Sequence, residues 1–200
     1  MKKLILALTA LLFSISANAM VLQEGVQYKT LSTPMTSSPT VTEYFSYMCP
    51  ACFGQEPTVK AMVAQLPADV RFEKRHLSFM GGESGKLLSK AAFTAQALNR
   101  PDLNDVFFHD YHVEKSLKLP LTEAKIRDVF IKNGVSEADF NAYFNSFVIN
   151  SQVVRADNDA RKAELSGVPS TVVNGRYLVL LDTVKTPQDY IDIVNALLKK

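Results

Sequence analysis

Tryptophan is absent from this 200-residue chain, cysteine occurs only twice, and neither sign of charge dominates. Each scarcity excludes something. Lys2 and Lys3 account for the formal net charge of +2, because the acidic and basic side chains after residue 19 balance. No basic run is interleaved with aromatics, which argues against a nucleic-acid partner. Beyond the first segment no long apolar run occurs, so stable insertion into a membrane is not expected. Internal repeats and low-complexity tracts are missing as well. With 47% apolar residues the chain can build a core that needs no covalent staple.

The first segment has the three parts of an export signal. Lys2 and Lys3 give a positive start, Leu4 to Phe13 an apolar stretch too short to span a bilayer, and Ala17-Asn18-Ala19 a small-x-small cleavage site. Residues 1–19 are therefore expected to be removed after Ala19, leaving a soluble chain that starts at Met20. Export leads to an oxidising compartment, where cysteines normally staple distant segments. Here both lie in one loop, Cys49-Pro50-Ala51-Cys52. Closing so small a loop constrains the unfolded chain by roughly 2 kcal/mol at most. A disulfide that holds so little together is better suited to exchange.

Hydropathy patterns place these residues in a fold. A short strand and turns lead to Ser38-Pro39, and Val41 to Tyr47 reads as a strand. Cys49 opens a helix, with Pro50 at an early position where no N–H is needed and Pro57 as a kink. Val70 to Leu77 is a second strand. After Gly81-Gly82 the apolar period becomes helical: 86–99, 102–114, 122–133 from the N-cap Thr122 to Gly134, a helix capped by Ser136, and a long one from 150 to Ser166. Phe140, Tyr143, Phe144 and Phe147 are expected on one core-facing side. Ser170 to Val173 and Tyr177 to Leu181 form a hairpin with a two-residue Asn174-Gly175 turn. A last helix starts at Thr186-Pro187. The pattern is an α/β domain, residues 20–81 and 156–200, interrupted by an all-helical insertion at 82–155.

At a helix start, positions i and i+3 are close enough to bridge. Unpaired N–H groups and the helix dipole favour an anion there, so Cys49 is expected to be comfortable as a thiolate. A stabilised thiolate is a good leaving group and favours the reduced dithiol, and both make the disulfide a stronger oxidant. Zinc is the main rival chemistry. It needs four ligands, and no second cysteine pair exists. His109 and His112 are spaced more tightly than usual zinc histidines and read as exposed helix residues.

The strand, CxxC and helix start, the helical insertion and Gly167-Val168-Pro169 before a strand together resemble the DsbA family of periplasmic disulfide oxidases. Glu43-Tyr44-Phe45-Ser46, His76 through Phe79-Met80-Gly81-Gly82, Ile126 to Ile131 and Val172 to Tyr177 are similar to that family too. The resemblance implies a thioredoxin fold with an inserted helical domain. It implies transfer of the Cys49-Cys52 disulfide to newly exported, unfolded proteins by a periplasmic monomer, with no cofactor or metal. Reoxidation would fall to a quinone-linked inner-membrane protein of the DsbB type. By the same resemblance, Pro169 is the cis-proline facing the disulfide and Val168 offers its backbone to an extended substrate. Glu43, Glu56 and Lys74 match a buried acid–acid–base group that tunes the pair, as Pro50 and Ala51 do from within the motif. Met48, His76, Phe79 and Met80 are candidates for an apolar groove beside the cysteines, with Phe79 and Met80 alternatively plugging the joint between domains.

Reductase, isomerase, metal-carrier and chaperone readings stay open at this point. Isomerases of the periplasm carry a dimerisation domain ahead of the fold, and the 29 positions from Met20 to Cys49 leave no room for one. One departure from the family matters: its namesake has a histidine where Ala51 stands. An imidazolium would support a Cys49 thiolate by charge and hydrogen bonding, which alanine cannot do. Ala51→His is therefore expected to raise the thiolate fraction at neutral pH and to strengthen the oxidant. Thiolate absorbance against pH for both proteins checks this, and an unchanged or smaller thiolate fraction in the variant contradicts it.

Overall fold

The structure, a computed structural model, describes residues 21–200. The expected signal and its cleavage site lie outside the described residues. Five strands form one mixed sheet: β1 (Tyr28–Thr30), β2 (Thr40–Phe45), β3 (Arg71–His76), β4 (Ser170–Val173) and β5 (Tyr177–Val179), in the order β1-β5-β4-β2-β3. β2 and β3 run parallel, from Thr40 opposite Arg71 to Phe45 opposite His76, and the other pairings are antiparallel. Every residue of β2 is buried. As the strand between β3 and β4, it is covered on both faces.

Alternation along β2 sorts its side chains. Val41 packs with Val59 and Met62 of α1 (Pro50–Val63) and with Tyr190, Val194 and Leu197 of α7 (Pro187–Leu198). Tyr44 packs with Phe93 of α2 (Glu83–Ala97) and with Ile149, Val153 and Ala156 of α6 (Phe147–Lys162). Phe45 and Tyr47 enter a third cluster, built with α3 (Leu103–His112), α4 (Glu123–Lys132) and α5 (Glu137–Phe144). There an aromatic file runs Tyr47, Phe107, Phe130, Phe140, Phe144, with successive ring centroids 5.2, 5.5, 5.3 and 4.6 Å apart. Such pairs each contribute about 0.5–1.5 kcal/mol beyond area burial. The file binds the helical block to the end of β2.

Helix starts follow local chemistry. Thr122, Ser136, Ser146 and Thr186 each accept the N–H three residues on, and Thr186 with Asp189 completes a reciprocal capping box. α1 continues through Pro57. Strands, five helices and then strands with a closing helix make the expected α/β thioredoxin fold with a helical insertion.

Three expectations need correction. α6 begins at Phe147 and ends at Lys162, where a helix from 150 to Ser166 was expected. Ser146 caps it, which turns Phe147 out to 86% exposure, and Tyr143 is 40% exposed; only Phe140 and Phe144 of the expected aromatic face are core. Register sets Val173 opposite Tyr177, so Arg176 is an extra loop residue after the positive-φ pair Asn174-Gly175.

Gly85, near the start of α2, is a close approach. A Cβ there would lie 1.9 Å from the Met80 carbonyl oxygen and 2.6 Å from that of Ser78. Backbone must therefore move to admit a methyl group. Gly85→Ala is expected to cost about 1–3 kcal/mol, read as a lower urea midpoint; an unchanged midpoint contradicts the packing.

Candidate active site

Cys49 is the N-cap of α1, with extended backbone, and Pro50 occupies the first turn. Its Sγ accepts the Cys52 N–H at 3.2 Å, so the thiol sulfur performs the capping that a serine or aspartate oxygen usually performs. The same Sγ donates to the Val168 carbonyl at 3.4 Å, and the Val168-Pro169 peptide is cis. Both cysteines are free thiols. Cys49 keeps 5% exposure and Cys52 none, so Cys49 is the more accessible of the pair. Burial, reinforced by the Cys49 hydrogen bond, pushes the Cys52 thiol well up, despite a backbone hydrogen bond from Ser46. Pro50 and Ala51 are exposed beside them.

Behind the pair lies the charge group. Lys74 Nζ donates to Glu43 Oε2 at 2.7 Å and to Glu56 Oε1. Register puts Lys74 opposite Glu43 on the parallel strands, and Glu56 lies one helical turn past Cys52. Burial lifts the Glu43 carboxyl above its ordinary range although Lys74 pulls it down. Burial alone would lower the Lys74 ammonium, but the two carboxylates outweigh it and leave it raised. Asn104 of α3 donates to Glu56 Oε2 at 2.9 Å. Nothing near residue 56 in the sequence announces this partner, which the helical block delivers from 48 positions away. A cavity of about 830 Å³ opens behind Glu56 and Lys74, between Phe72 and Phe93, and touches neither cysteine.

Around Cys49 the structure gathers some of the expected groove and not the rest. Met48, Met80 and Val168 are half-buried against the cluster that contains both cysteines. Met48 lies over Gly81, where a Cβ would fall 2.6 Å from its Cε. Phe79 is 59% exposed and does not plug the joint between sheet and helices. His76 is not in the groove. It is fully buried, accepts the Tyr47 N–H at Nε2 (2.9 Å) and meets Ser89 Oγ at Nδ1 (2.7 Å). His112 is not an exposed helix residue either: its ring stacks on Phe53 at 5.0 Å, directly after Cys52, because α3 docks on α1. His109 does face solvent. Among the described residues, no group of three or more His, Cys, Asp or Glu is placed to hold a metal ion.

The DSBA-like thioredoxin domain family matches residues 40–192. The chain belongs to the DsbA family. It is 35% identical over 210 residues to the thiol:disulfide interchange protein DsbA of Escherichia coli (strain K12), with all of both chains covered. The DsbA of Dickeya dadantii is 37% identical, again over the full length of both. Among solved structures, DsbA of Proteus mirabilis with a non-covalently bound peptide PWATCDS is similar with a TM-score of 0.82 and 31% identity, over 90% of this chain and 100% of that one. A DsbA-family chain is a thiol:disulfide oxidoreductase, and Cys49 and Cys52 are the only residues here able to exchange a disulfide.

In this DsbA-family site, His76 carries a pH signature. Burial lowers it to about 3, against an unfolded value of about 6.5. The neutral ring is needed, since protonated Nε2 could not accept the Tyr47 N–H. Folding stability from this group is thus intact above about pH 6.5 and falls as pH drops toward 3, by up to about 1.4 kcal/mol per pH unit. Urea unfolding of the reduced protein at several pH values should show that slope, and His76→Gln should flatten it. Equal slopes in the two proteins contradict the assignment.

Proposed function

We propose that the protein donates a Cys49–Cys52 disulfide to newly exported proteins in the periplasm and is reset by a quinone-linked membrane protein of the DsbB type. The observation that carries this reading is the placing of Cys49 Sγ as a helix cap beside the Val168 carbonyl, with Cys52 sealed beneath. A client thiolate attacks Sγ of Cys49, the more accessible cysteine, and the S–S bond breaks toward Cys52. Burial favours protonation of the departing Cys52 sulfur, which discourages its return. A second client thiolate then attacks the client sulfur of the mixed disulfide. Cys49 leaves as a thiolate held by the Cys52 N–H and the helix start. The client loses two electrons and the cysteine pair gains them.

Client recognition in this reading is by backbone. Val168 presents its main chain to an extended segment, while Met48, Phe79 and Met80 offer an adaptable apolar wall that tolerates varied sequence. The Proteus mirabilis relative bound to PWATCDS supports docking of a short cysteine peptide. Glu43, Glu56 and Lys74 supply charge behind Cys52. Residues 20–81 and 156–200 form the redox unit and 82–155 the inserted one, with α6 shared between them. The protein acts as a monomer after cleavage behind Ala19, with its own disulfide in place of a cofactor.

Equilibration with glutathione buffers tests the direction of transfer. The pair is expected to be half-oxidised at a potential above about −200 mV, whereas a midpoint near about −270 mV would make it a reductant. Cys49→Ser is expected to lose all oxidation of a reduced client protein. Activity that survives this change would assign the chain to peptide binding alone.

A further inference from the structure

Ser78 and Asp157 form a contact that the chemistry above does not use. The Ser78 N–H donates to Asp157 Oδ1 at 3.0 Å, and the Ser78 hydroxyl donates to Oδ2 at 2.5 Å. Both carboxylate oxygens of one residue thus grip both donors of another, 79 positions away. Hydrogen bonds to a charged acceptor are the stronger kind.

What the grip joins gives it meaning. Ser78 directly precedes Phe79 and Met80, and Met80, like Met48, packs against the cluster that holds both cysteines. Phe79 is 59% exposed and cannot be held by its own burial. Asp157 lies on α6, which leads through residues 163–167 to Val168, whose carbonyl accepts from Cys49 Sγ. From within, Gly85 lets α2 approach the Ser78 and Met80 carbonyls. The segment therefore rests on α2 and is tied to α6. We propose that Asp157 is a positioning residue for client docking: through Ser78 it sets the distance between the Phe79–Met80 lip and the Val168 backbone. The inference rests on the docking reading given above. Asp157 bonds neither cysteine, so it acts on the docking of extended chains and leaves the reactivity of the disulfide alone.

The probe is the peptide PWATCDS, titrated against protein carrying Cys49→Ser so that binding is read without exchange. Asp157→Ala in that background is expected to weaken binding by roughly fivefold or more. Asp157→Asn keeps an acceptor for the N–H and an amide for the hydroxyl, and should stay within about twofold. With Cys49 restored, Asp157→Ala should exchange with glutathione within about twofold of the parent rate. A merely structural role would lower the melting temperature while leaving peptide affinity at parent level well below it. That result overturns the proposal, as does glutathione exchange that slows in step with binding. If Asp157→Ala does not fold, Ser78→Ala, which loses the hydroxyl bond alone, should still weaken binding by about twofold, and parent affinity there overturns the proposal. A parent protein that binds no peptide removes the docking reading itself, a failure distinct from equal binding by parent and variant.

Discussion

One sulfur atom holds the end of a helix. Cys49 Sγ accepts the Cys52 N–H and so does the work of an N-cap, a contact worth about 1 kcal/mol in an ordinary helix. The same atom is the reacting centre. Structure and chemistry are therefore linked through one lone pair: the charge that develops on Cys49 when its bond breaks is received by a donor already aimed at it. Pro50 contributes by fixing the first turn without a competing N–H. Everything that sets the position of α1 sets the chemistry as well.

Much of the molecule converges on that position. β2 delivers the chain to Ser46, whose carbonyl accepts the Cys49 N–H at 3.0 Å. The paired charges join β2, β3 and α1, and Asn104 adds α3. Removing one partner of such a buried group leaves an uncompensated charge, so these residues are coupled in energy as well as place. The aromatic file from Tyr47 to Phe144 continues the same packing outward. Sheet and helical block therefore share a core at the cysteines.

Local chemistry was legible in advance and long-range chemistry was not. The CxxC helix start, the caps at Thr122, Ser136 and Thr186, and the sequence of strands and helices follow from neighbours in the chain, which is where propensity and capping act. The acid–base group was half legible: Glu43 stands out because it interrupts an apolar strand, whereas spacing left Glu56 and Lys74 evenly divided between surface charges and a group near the cysteines, and family resemblance joined the three. His76 misled because it adjoins Phe79 and Met80 in sequence. It is the last residue of β3, however, and the sheet turns it inward between Phe45 and Tyr47. Asn104, Asp157 and the stacking of His112 on Phe53 depend on how the helical block folds back over α1 and β3. No pattern within one segment carries that information.

The two borders of the sheet bear on contact with foreign extended chains. β1 is three residues long, and β3 reads Arg71-Phe72-Glu73-Lys74-Arg75-His76 along the opposite margin. A short margin offers little to pair with, and a charged one makes pairing costly. Both flanks of this oxidoreductase's sheet thus resist the addition of a foreign strand.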